Sequence, residues 1–306
     1  MKLMEQIMQL FPLHLRGQLK QSGCFTKEVE EIRVRIHQPL LVCSGGGEQR
    51  IPGLEDYRIT RADLLQMVSY ISKCSIYAFD DEIQKGFLTL QGGHRVGIAG
   101  QVILDENGHV RTIRPITYLN IRIAHQVYGC AESLADWLWE AGQLQNTLIL
   151  SPPGEGKTTM LRDLMRILSD GTNKYAGMKV GIVDERSELG GCQNGIPQND
   201  VGLRTDILDG CPKAAGMLMM VRSMSPQVLA VDEIGTKEDF EAVAYALNCG
   251  CAVFATMHCS HMKELPDKPF WHNPRNRHLF SRYVLLERRQ NKHGFEVYDR
   301  KLERLC

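Results

Sequence analysis

The feature that most constrains this chain is the segment SPPGEGKTT at 151–159, which directly follows the apolar run LIL. It fits the phosphate-loop pattern G-x-x-x-x-G-K-[ST] except at the first position, where Ser151 stands. Gly154 and Gly156 allow the backbone to curl so that its N–H groups point at phosphate oxygens, and the following helix adds its dipole. The alternative is a Gly-Pro loop that opens a helix by coincidence. The run GEGKTT after a strand favours the phosphate loop.

The residue types in this loop predict that the chain binds ATP with Mg²⁺ as the cofactor. Lys157 is expected to reach the β- and γ-phosphates, and Thr158 to offer its hydroxyl to Mg²⁺, directly or through water. The predicted ATP-binding residues are Ser151, Pro152, Pro153, Gly154, Glu155, Gly156, Lys157, Thr158 and Thr159.

The second half of the predicted site is the segment VLAVDEIG at 228–235, in which four apolar residues precede an Asp-Glu pair. At the end of a buried strand, Asp232 is placed to organise Mg²⁺ and Glu233 to activate an attacking water. An apolar strand ending in Asp-Glu is common, so a purely structural role is an equal alternative for this element alone. The strand KVGIV lies between the phosphate loop and this element in sequence. It predicts that the acid-bearing strand is not adjacent to the loop strand in the sheet, an arrangement that favours a hydrolase. The assigned catalytic residues are Glu233 and Lys157, and the assigned Mg²⁺ ligands are Thr158 and Asp232.

Polar side chains follow two further predicted strands. Asp184 and Glu185 come after one strand, and His258 comes after another, two residues beyond Thr256. Ligands of parallel sheets bind at the carboxyl ends of strands, so these residues are secondary candidates for the same site. The alternatives are a solvated charge run at Asp184 and a hydrogen-bonded core histidine at His258.

Strands and helices alternate after residue 147, which predicts an α/β domain with a parallel sheet covered on both faces. The predicted strands are 148–150, 180–183, 228–231 and 251–256, the predicted helices are 158–168, 213–224 and 237–247, and a hairpin over 282–299, turning near 291–294, follows them. The first part of the chain instead predicts a smaller α+β domain. A strand at 30–36 would pair with 40–43 through the turn SGGG, Thr60 would cap a helix to about Ser72, and antiparallel strands would fill 87–113.

An amphipathic helix is predicted over residues 131–145, because Leu134, Trp137, Leu138 and Ala141 recur at helical spacing. The chain is therefore divided into an α+β domain at 1–128, a linker helix at 129–146 and an ATPase domain at 147–306.

Charge and cysteine content restrict the function classes. The 36 basic and 36 acidic residues balance, which disfavours broad nucleic-acid binding, since that needs a basic surface. No apolar run is long enough to predict a membrane span, and the N-terminus does not resemble a secretory signal. The ten scattered cysteines, among them Cys74, are therefore expected to be reduced thiols in a cytosol. The cluster of Cys249, Cys251, His258, Cys259 and His261 matches no zinc spacing, so buried thiols are favoured over a metal site, and no metal other than Mg²⁺ is predicted.

Several arginines of the first domain are candidates for contacting ATP in a neighbouring subunit, a role that can accelerate hydrolysis strongly. The alternative is that they lie on ordinary solvated strand faces. These candidates are Arg95, Arg111, Arg114 and Arg122.

Four blocks of sequence together resemble the stage III sporulation protein AA family of endospore-forming bacteria, which is similar to type II and type IV secretion ATPases. The blocks are PPGEGKTTMLRDLMRILSDG, KVGIVDERSELGGC, GIPQNDVGLRTDILDGCPKAAGMLMMVRSMSPQVLAVDEIGT and FATMHCSH, and GGHRVGIAGQ with NIRIA extends the match into the first domain.

The resemblance implies a RecA-like, cytoplasmic ATPase of the mother cell that forms a ring, expected to be a hexamer, with nucleotide between subunits. It further implies docking on membrane channel proteins of the sporulation complex, so the protein would lie at the membrane through partners. Asp184–Glu188 and His258 occupy places comparable with the acidic and histidine boxes of secretion ATPases. Two other functions stay open, a nucleotide-dependent scaffold with little turnover and a nucleic-acid translocase.

Overall fold

The protein is described by a computed structural model that covers residues 2–26, 28–45, 47–72, 86–289 and 292–306. Cys74 lies outside these residues, as does the tip of the last predicted hairpin at 290–291. The chain divides into two compact units, Met1–His125 and Gln126–Cys306. Each unit has a sheet and a hydrophobic core of its own.

The first unit is an α+β domain built on one antiparallel sheet in the order β3-β2-β1-β6-β5-β4. Its helices are α1 (Lys2–Met8), α2 (Leu13–Gln21) and α3 (Arg61–Ile71). Its strands are β1 (Val29–Arg35), β2 (Leu41–Ser44), β3 (Gly47–Arg50), β4 (Phe87–Thr89), β5 (Arg95–Leu104) and β6 (Val110–Arg122).

Local sequence signals explain most of this unit. Strand β1 buries Ile32 and Val34 on one face, as its alternating pattern predicts. The predicted N-cap is confirmed, because the Thr60 side chain accepts the Asp63 N–H while Asp63 accepts the Thr60 N–H. The predicted turn is wrong in one respect. Residues 36–40 join β1 to β2. Ser44 instead ends β2 and Gly47 begins β3, a strand that the sequence analysis did not identify.

The second unit is an α/β domain, as predicted. Its helices are α4 (Glu132–Ala135), α5 (Lys157–Asp170), α6 (Lys213–Met224) and α7 (Lys237–Asn248). Its strands are β7 (Trp139–Glu140), β8 (Gln143–Leu144), β9 (Thr147–Ser151), β10 (Val180–Asp184), β11 (Thr205–Asp209), β12 (Val228–Val231), β13 (Ala252–His258), β14 (Arg282–Arg289) and β15 (Lys292–Tyr298). Short 3-10 turns lie at Asp136–Leu138, Met262–Asp267, Pro269–His272 and Asn276–His278.

The main sheet has the order β11-β10-β12-β13-β9-β14-β15, and every pairing is parallel except β14 with β15. Helix α5 packs on one face and helices α6 and α7 pack on the other, which confirms the predicted three layers. Strand β13 separates the acid-bearing β12 from the loop strand β9, so the predicted non-adjacent arrangement is confirmed.

The predicted linker helix is wrong. Residues 131–145 form the short helix α4, a 3-10 turn and a two-stranded hairpin of β7 and β8. Ala141 and Gly142 at the hairpin turn both have positive φ, 49° and 77°, which an α-helix does not accommodate. The helical spacing of apolar residues arises because α4 and the 3-10 turn bury Leu134 and Leu138. Strand β11 was not predicted, since it lies at a sheet edge and none of its residues is buried.

Candidate functional site

The loop between β9 and α5 has the geometry of an anion-binding cradle. Gly154 and Gly156 adopt φ of 80° and 87°, a left-handed conformation that favours glycine, and Gly156 is the N-cap of α5. A Cβ atom at either position would have no atom within 4 Å, so both glycines face open space. The N-terminal turn of a 14-residue helix thus opens onto free volume, which suits a phosphate group.

Lys157 is folded back onto this loop. Its Nζ lies 3.0 Å from the Ser151 carbonyl oxygen, 3.2 Å from Ser151 Oγ and 2.9 Å from the Pro152 carbonyl oxygen. The Ser151 hydroxyl in turn donates to Pro152 at 2.7 Å, so the serine at the consensus glycine position fits the turn. Burial lowers the pKa of Lys157, and the carboxylates of Asp232 and Glu233 oppose that shift.

Asp232 is held between two hydroxyl groups. Thr158 Oγ1 donates to Asp232 Oδ2 at 2.6 Å, and the buried Thr256 hydroxyl donates to Asp232 Oδ1. Thr256 also accepts the backbone N–H of Glu233 at 2.8 Å. A single threonine of β13 therefore fixes both members of the Asp-Glu pair, a role that the sequence analysis did not assign to it.

The Glu233 carboxylate is contacted by the side chains of His258 and Arg186. His258 Nε2 lies 3.0 Å from Glu233 Oε1, and Arg186 Nη1 lies 3.0 Å from Glu233 Oε2. The other ring nitrogen of His258 lies 3.0 Å from Lys157 Nζ. The structure thus joins Lys157, His258 and Glu233 into one hydrogen-bonded chain, and the contact from Arg186 was not predicted.

The two secondary acidic candidates differ in their surroundings. Asp184 accepts the backbone N–H groups of Glu188 and Gly190, both at 2.8 Å, and therefore holds the loop after β10. Burial raises the pKa of Asp184 to about 6. Glu185 pairs with Lys213 on α6. Both acids line a small cleft together with Arg186, Asp232 and Glu233, so they lie beside the site without bonding to its carboxylates.

The four arginines proposed to act in a neighbouring subunit lie on strands of the first unit. Arg95 is on β5, where its guanidinium packs over the Phe87 ring at 4.9 Å. The other three are exposed on β6, namely Arg111, Arg114 and Arg122. Their participation stays a prediction.

The cysteine cluster near β13 is engaged with the backbone. Cys251 Sγ donates to the Pro226 carbonyl and Cys259 Sγ donates to the His261 carbonyl, both at 3.2 Å. All nine cysteines in the described part of the chain are free thiols.

The residues present suit a bound nucleoside triphosphate with Mg²⁺. The hydroxyl of Thr158 and the carboxylate of Asp232 are adjacent oxygen donors, which is the ligand type that Mg²⁺ prefers. Lys157 lies at the start of the helix whose open N-terminal turn would receive phosphate oxygens. The predicted site residues of the loop, β12 and β13 are therefore brought together at the carboxyl edge of one sheet.

The sequence model of the family described as "Sporulation stage III, protein AA" matches residues 1–305. The chain belongs to this family. It is 44% identical to stage III sporulation protein AA of Bacillus subtilis over 274 residues, which cover 89% of this chain and 87% of that protein. An uncharacterised protein, ycf45 of Porphyra purpurea, is 26% identical over 87% of this chain and 42% of its own length. The predicted family resemblance is confirmed.

Two solved structures have a similar fold. The Legionella pneumophila ATPase DotB aligns with a TM-score of 0.63 at 14% identity, over 94% of this chain and 81% of that chain. The pilus retraction motor PilT, solved with bound ADP, aligns with a TM-score of 0.63 at 12% identity, over 93% and 81%. The predicted RecA-like α/β fold is confirmed. Among the described residues, no helix combines the length and apolarity that crossing a bilayer requires.

Proposed function

We propose that this protein is a Mg²⁺-dependent ATPase that works as a motor or assembly ATPase in sporulation. The observation that carries the proposal is the continuous contact chain from Thr158 through Asp232 and Thr256 to Glu233, and on through His258 to Lys157. These groups lie beside an anion cradle in a fold of the secretion-ATPase type.

Each residue has a distinct task in this proposal. Lys157 and the N-terminal turn of α5 bind the phosphates, and Thr158 with Asp232 would hold Mg²⁺. Mg²⁺ held there would neutralise charge on the phosphate oxygens of ATP, whose terminal phosphoanhydride bond breaks when water attacks the γ-phosphorus. Glu233 orients a water molecule and accepts its proton, for which its carboxylate is held by His258 and Arg186 and its backbone N–H by the Thr256 hydroxyl.

The family and the fold support the proposed partners. We expect a homo-oligomeric ring, a hexamer, that uses hydrolysis to power or gate a membrane-embedded channel between mother cell and forespore. The name of the Bacillus subtilis relative supports a sporulation role. The protein would lie in the mother-cell cytoplasm and would attach to the membrane through channel proteins. A fluorescent fusion that stays evenly spread in sporulating cells would argue against this docking.

Hydrolysis is tested with purified protein. Phosphate release is measured for wild type and for Lys157→Ala, with and without Mg²⁺, and the oligomeric state is measured by sedimentation. We expect Mg²⁺-dependent turnover that Lys157→Ala abolishes, because the ammonium group is the loop's cationic phosphate contact. Wild-type turnover no faster than that of Lys157→Ala would refute the ATPase. A ring that forms on ATP without any turnover would instead identify a nucleotide-dependent scaffold, and hydrolysis stimulated by DNA would identify a translocase.

A further inference from the structure

A cavity of about 670 Å³ opens next to the phosphate loop, on the side of Gly154 and Gly156. The cavity directly adjoins the phosphate site, because Gly154 and Gly156 of the loop line it. The assignment of the cavity as a ligand site rests on the proposed ATPase function. Pockets of about 300–1,000 Å³ are typical of small-molecule sites. The volume therefore accommodates the nucleoside part of a nucleotide whose phosphates lie on the loop.

The walls of this cavity are mostly apolar. Leu286 and Phe295, which are register partners on β14 and β15, form one wall, and Met160 of α5 contributes to another. Cys130 also lines the cavity, and burial raises the pKa of its thiol to about 11, so it is uncharged at neutral pH. Such walls suit the flat apolar faces of a nucleobase.

Glu155 is the one lining residue with a charged side chain among the described residues. Its Oε2 is shielded from solvent and has no hydrogen-bond partner in the described part of the chain. A shielded acceptor without a donor is unfavourable, and more so when it is charged. The last torsion of a glutamate side chain is broad, so the carboxylate can turn toward the cavity without backbone movement.

The charge of Glu155 also orients the ligand. A carboxylate at the cavity wall repels phosphate groups, while the helix N-terminus and Lys157 attract them. The phosphates are therefore directed to the loop and the uncharged nucleoside to the cavity. A nucleoside brings hydrogen-bond donors of the kind that Glu155 lacks, namely ribose hydroxyls and, in adenosine, an exocyclic amine.

We propose that Glu155 is a specificity-determining residue that accepts a hydrogen bond from the nucleoside of the bound nucleotide. Two sources share this donor chemistry, the 6-amino group of adenine and the 2′- or 3′-hydroxyl of ribose. Bonds to charged acceptors contribute about 1.5–3 kcal/mol, so losing the donor weakens binding about tenfold or more.

The test measures dissociation constants by calorimetry for ADP and three analogues that each lack one donor. The analogues are purine riboside diphosphate, 2′-deoxy-ADP and 3′-deoxy-ADP, and diphosphates are used because they have no γ-phosphate to hydrolyse. Each analogue is compared with ADP on wild type, on Glu155→Ala and on the control Glu132→Ala. Glu132 is an exposed neighbour of the lining residue Ser133 and does not line the cavity itself.

On wild type and Glu132→Ala, one analogue is expected to bind about tenfold or more weakly than ADP, and that analogue identifies the donor. On Glu155→Ala the ratio of the dissociation constant of that analogue to that of ADP should fall to about one, whatever happens to the absolute affinities. A merely structural Glu155 would change all affinities together and leave the ratio intact, which overturns the proposal. Ratios near one for all three analogues on wild type overturn it as well. Failure of wild type to bind ADP better than Lys157→Ala would refute the proposed function itself.

Discussion

His258 joins the lysine of the phosphate loop to the glutamate of the acidic pair. Its Nδ1 lies 3.0 Å from Lys157 Nζ, and its Nε2 lies 3.0 Å from Glu233 Oε1. Because an ammonium group can only donate, Nδ1 is the acceptor and Nε2 carries the hydrogen that points at the carboxylate. The phosphate-binding group and the proposed base are thus positioned by one imidazole ring, and a phosphate that draws Lys157 forward would release the ring.

Replacing His258 by alanine should impair turnover more than binding. Glu233 then loses one of the contacts that aim its carboxylate, and a misplacement of about 1 Å can cost about 10²-fold in rate. We expect kcat to fall by about that factor, with a much smaller change in KM for ATP. Steady-state kinetics measure both constants. His261→Ala is the matched control, because its exposed side chain lies outside the contact chain, and equal losses in the two variants would contradict the role of His258.

Glu233→Gln should separate binding from hydrolysis. The amide keeps the size of the side chain but cannot accept a proton, and loss of a general base lowers rates by about 10²–10⁴-fold. ATP affinity should stay near that of wild type, measured by equilibrium dialysis on ice. Glu238→Gln, at an exposed position near the start of α7, is the control and should hydrolyse normally. Normal turnover in Glu233→Gln would remove Glu233 from its proposed role.

Glu233 also adopts a left-handed backbone, with φ of 53°. This conformation is unfavourable for a residue with a Cβ by about 1–2 kcal/mol and is free for glycine. Both Glu233→Gly and Glu233→Ala lose the side-chain contacts. The difference between their free energies of unfolding therefore reports the cost of the left-handed backbone. We expect the glycine variant to be the more stable by about 1 kcal/mol in urea unfolding followed by tryptophan fluorescence. An alanine variant that is equally stable would show that this backbone is not strained.

The first unit should lose stability in mild acid because of His94. His94 is fully buried, accepts the Ala124 N–H through Nδ1, and its Nε2 has no partner among the described residues. Burial, with a smaller effect from His125, lowers its pKa from 6.5 to about 4. The unfolded chain therefore binds the proton more tightly than the folded chain does. The first unit has its full stability above pH 6.5 and loses part of it as the pH falls toward 4.

The full effect of His94 amounts to about 3 kcal/mol if the unfolded histidine titrates normally. Hydrogen exchange of β5 and β6 amides, corrected for intrinsic rates, follows this unit in the whole chain. Protection should fall between pH 6.5 and 4.5 in wild type and change less in His94→Gln, which keeps an acceptor for Ala124. Parallel pH profiles for the two proteins would exclude His94 as the cause.

The fold was predictable where the sequence signals are local. Helix α6 and strand β12 begin and end at the predicted residues, since Pro212 precedes the helix and four apolar residues form the strand. Edge strand β11 was missed because all of its residues are exposed or only half-buried, so it lacks the apolar run of a buried strand. The hairpin of β7 and β8 was missed because a left-handed Ala141 is not encoded by hydrophobic spacing.

The site was predictable as a set of residues but not as a set of contacts. Strand ends identified Asp232, Glu233 and His258, because parallel strands present their carboxyl ends at one edge. The order of the strands decides which of these side chains meet. Thr256 reaches both acids only because β13 inserts between β9 and β12, and that insertion depends on packing between segments distant in sequence.

The position of β9 has a consequence for how the protein is made. Its two hydrogen-bonded neighbours, β13 and β14, are translated long after it, at Ala252–His258 and Arg282–Arg289. On the ribosome the phosphate-loop strand therefore emerges as an apolar edge with neither partner available, a state that favours chaperone capture or mispairing. A nascent chain can pair β9 with both neighbours only after β14 has left the exit tunnel, so nucleotide binding has to wait for residues that lie far beyond the phosphate loop in sequence.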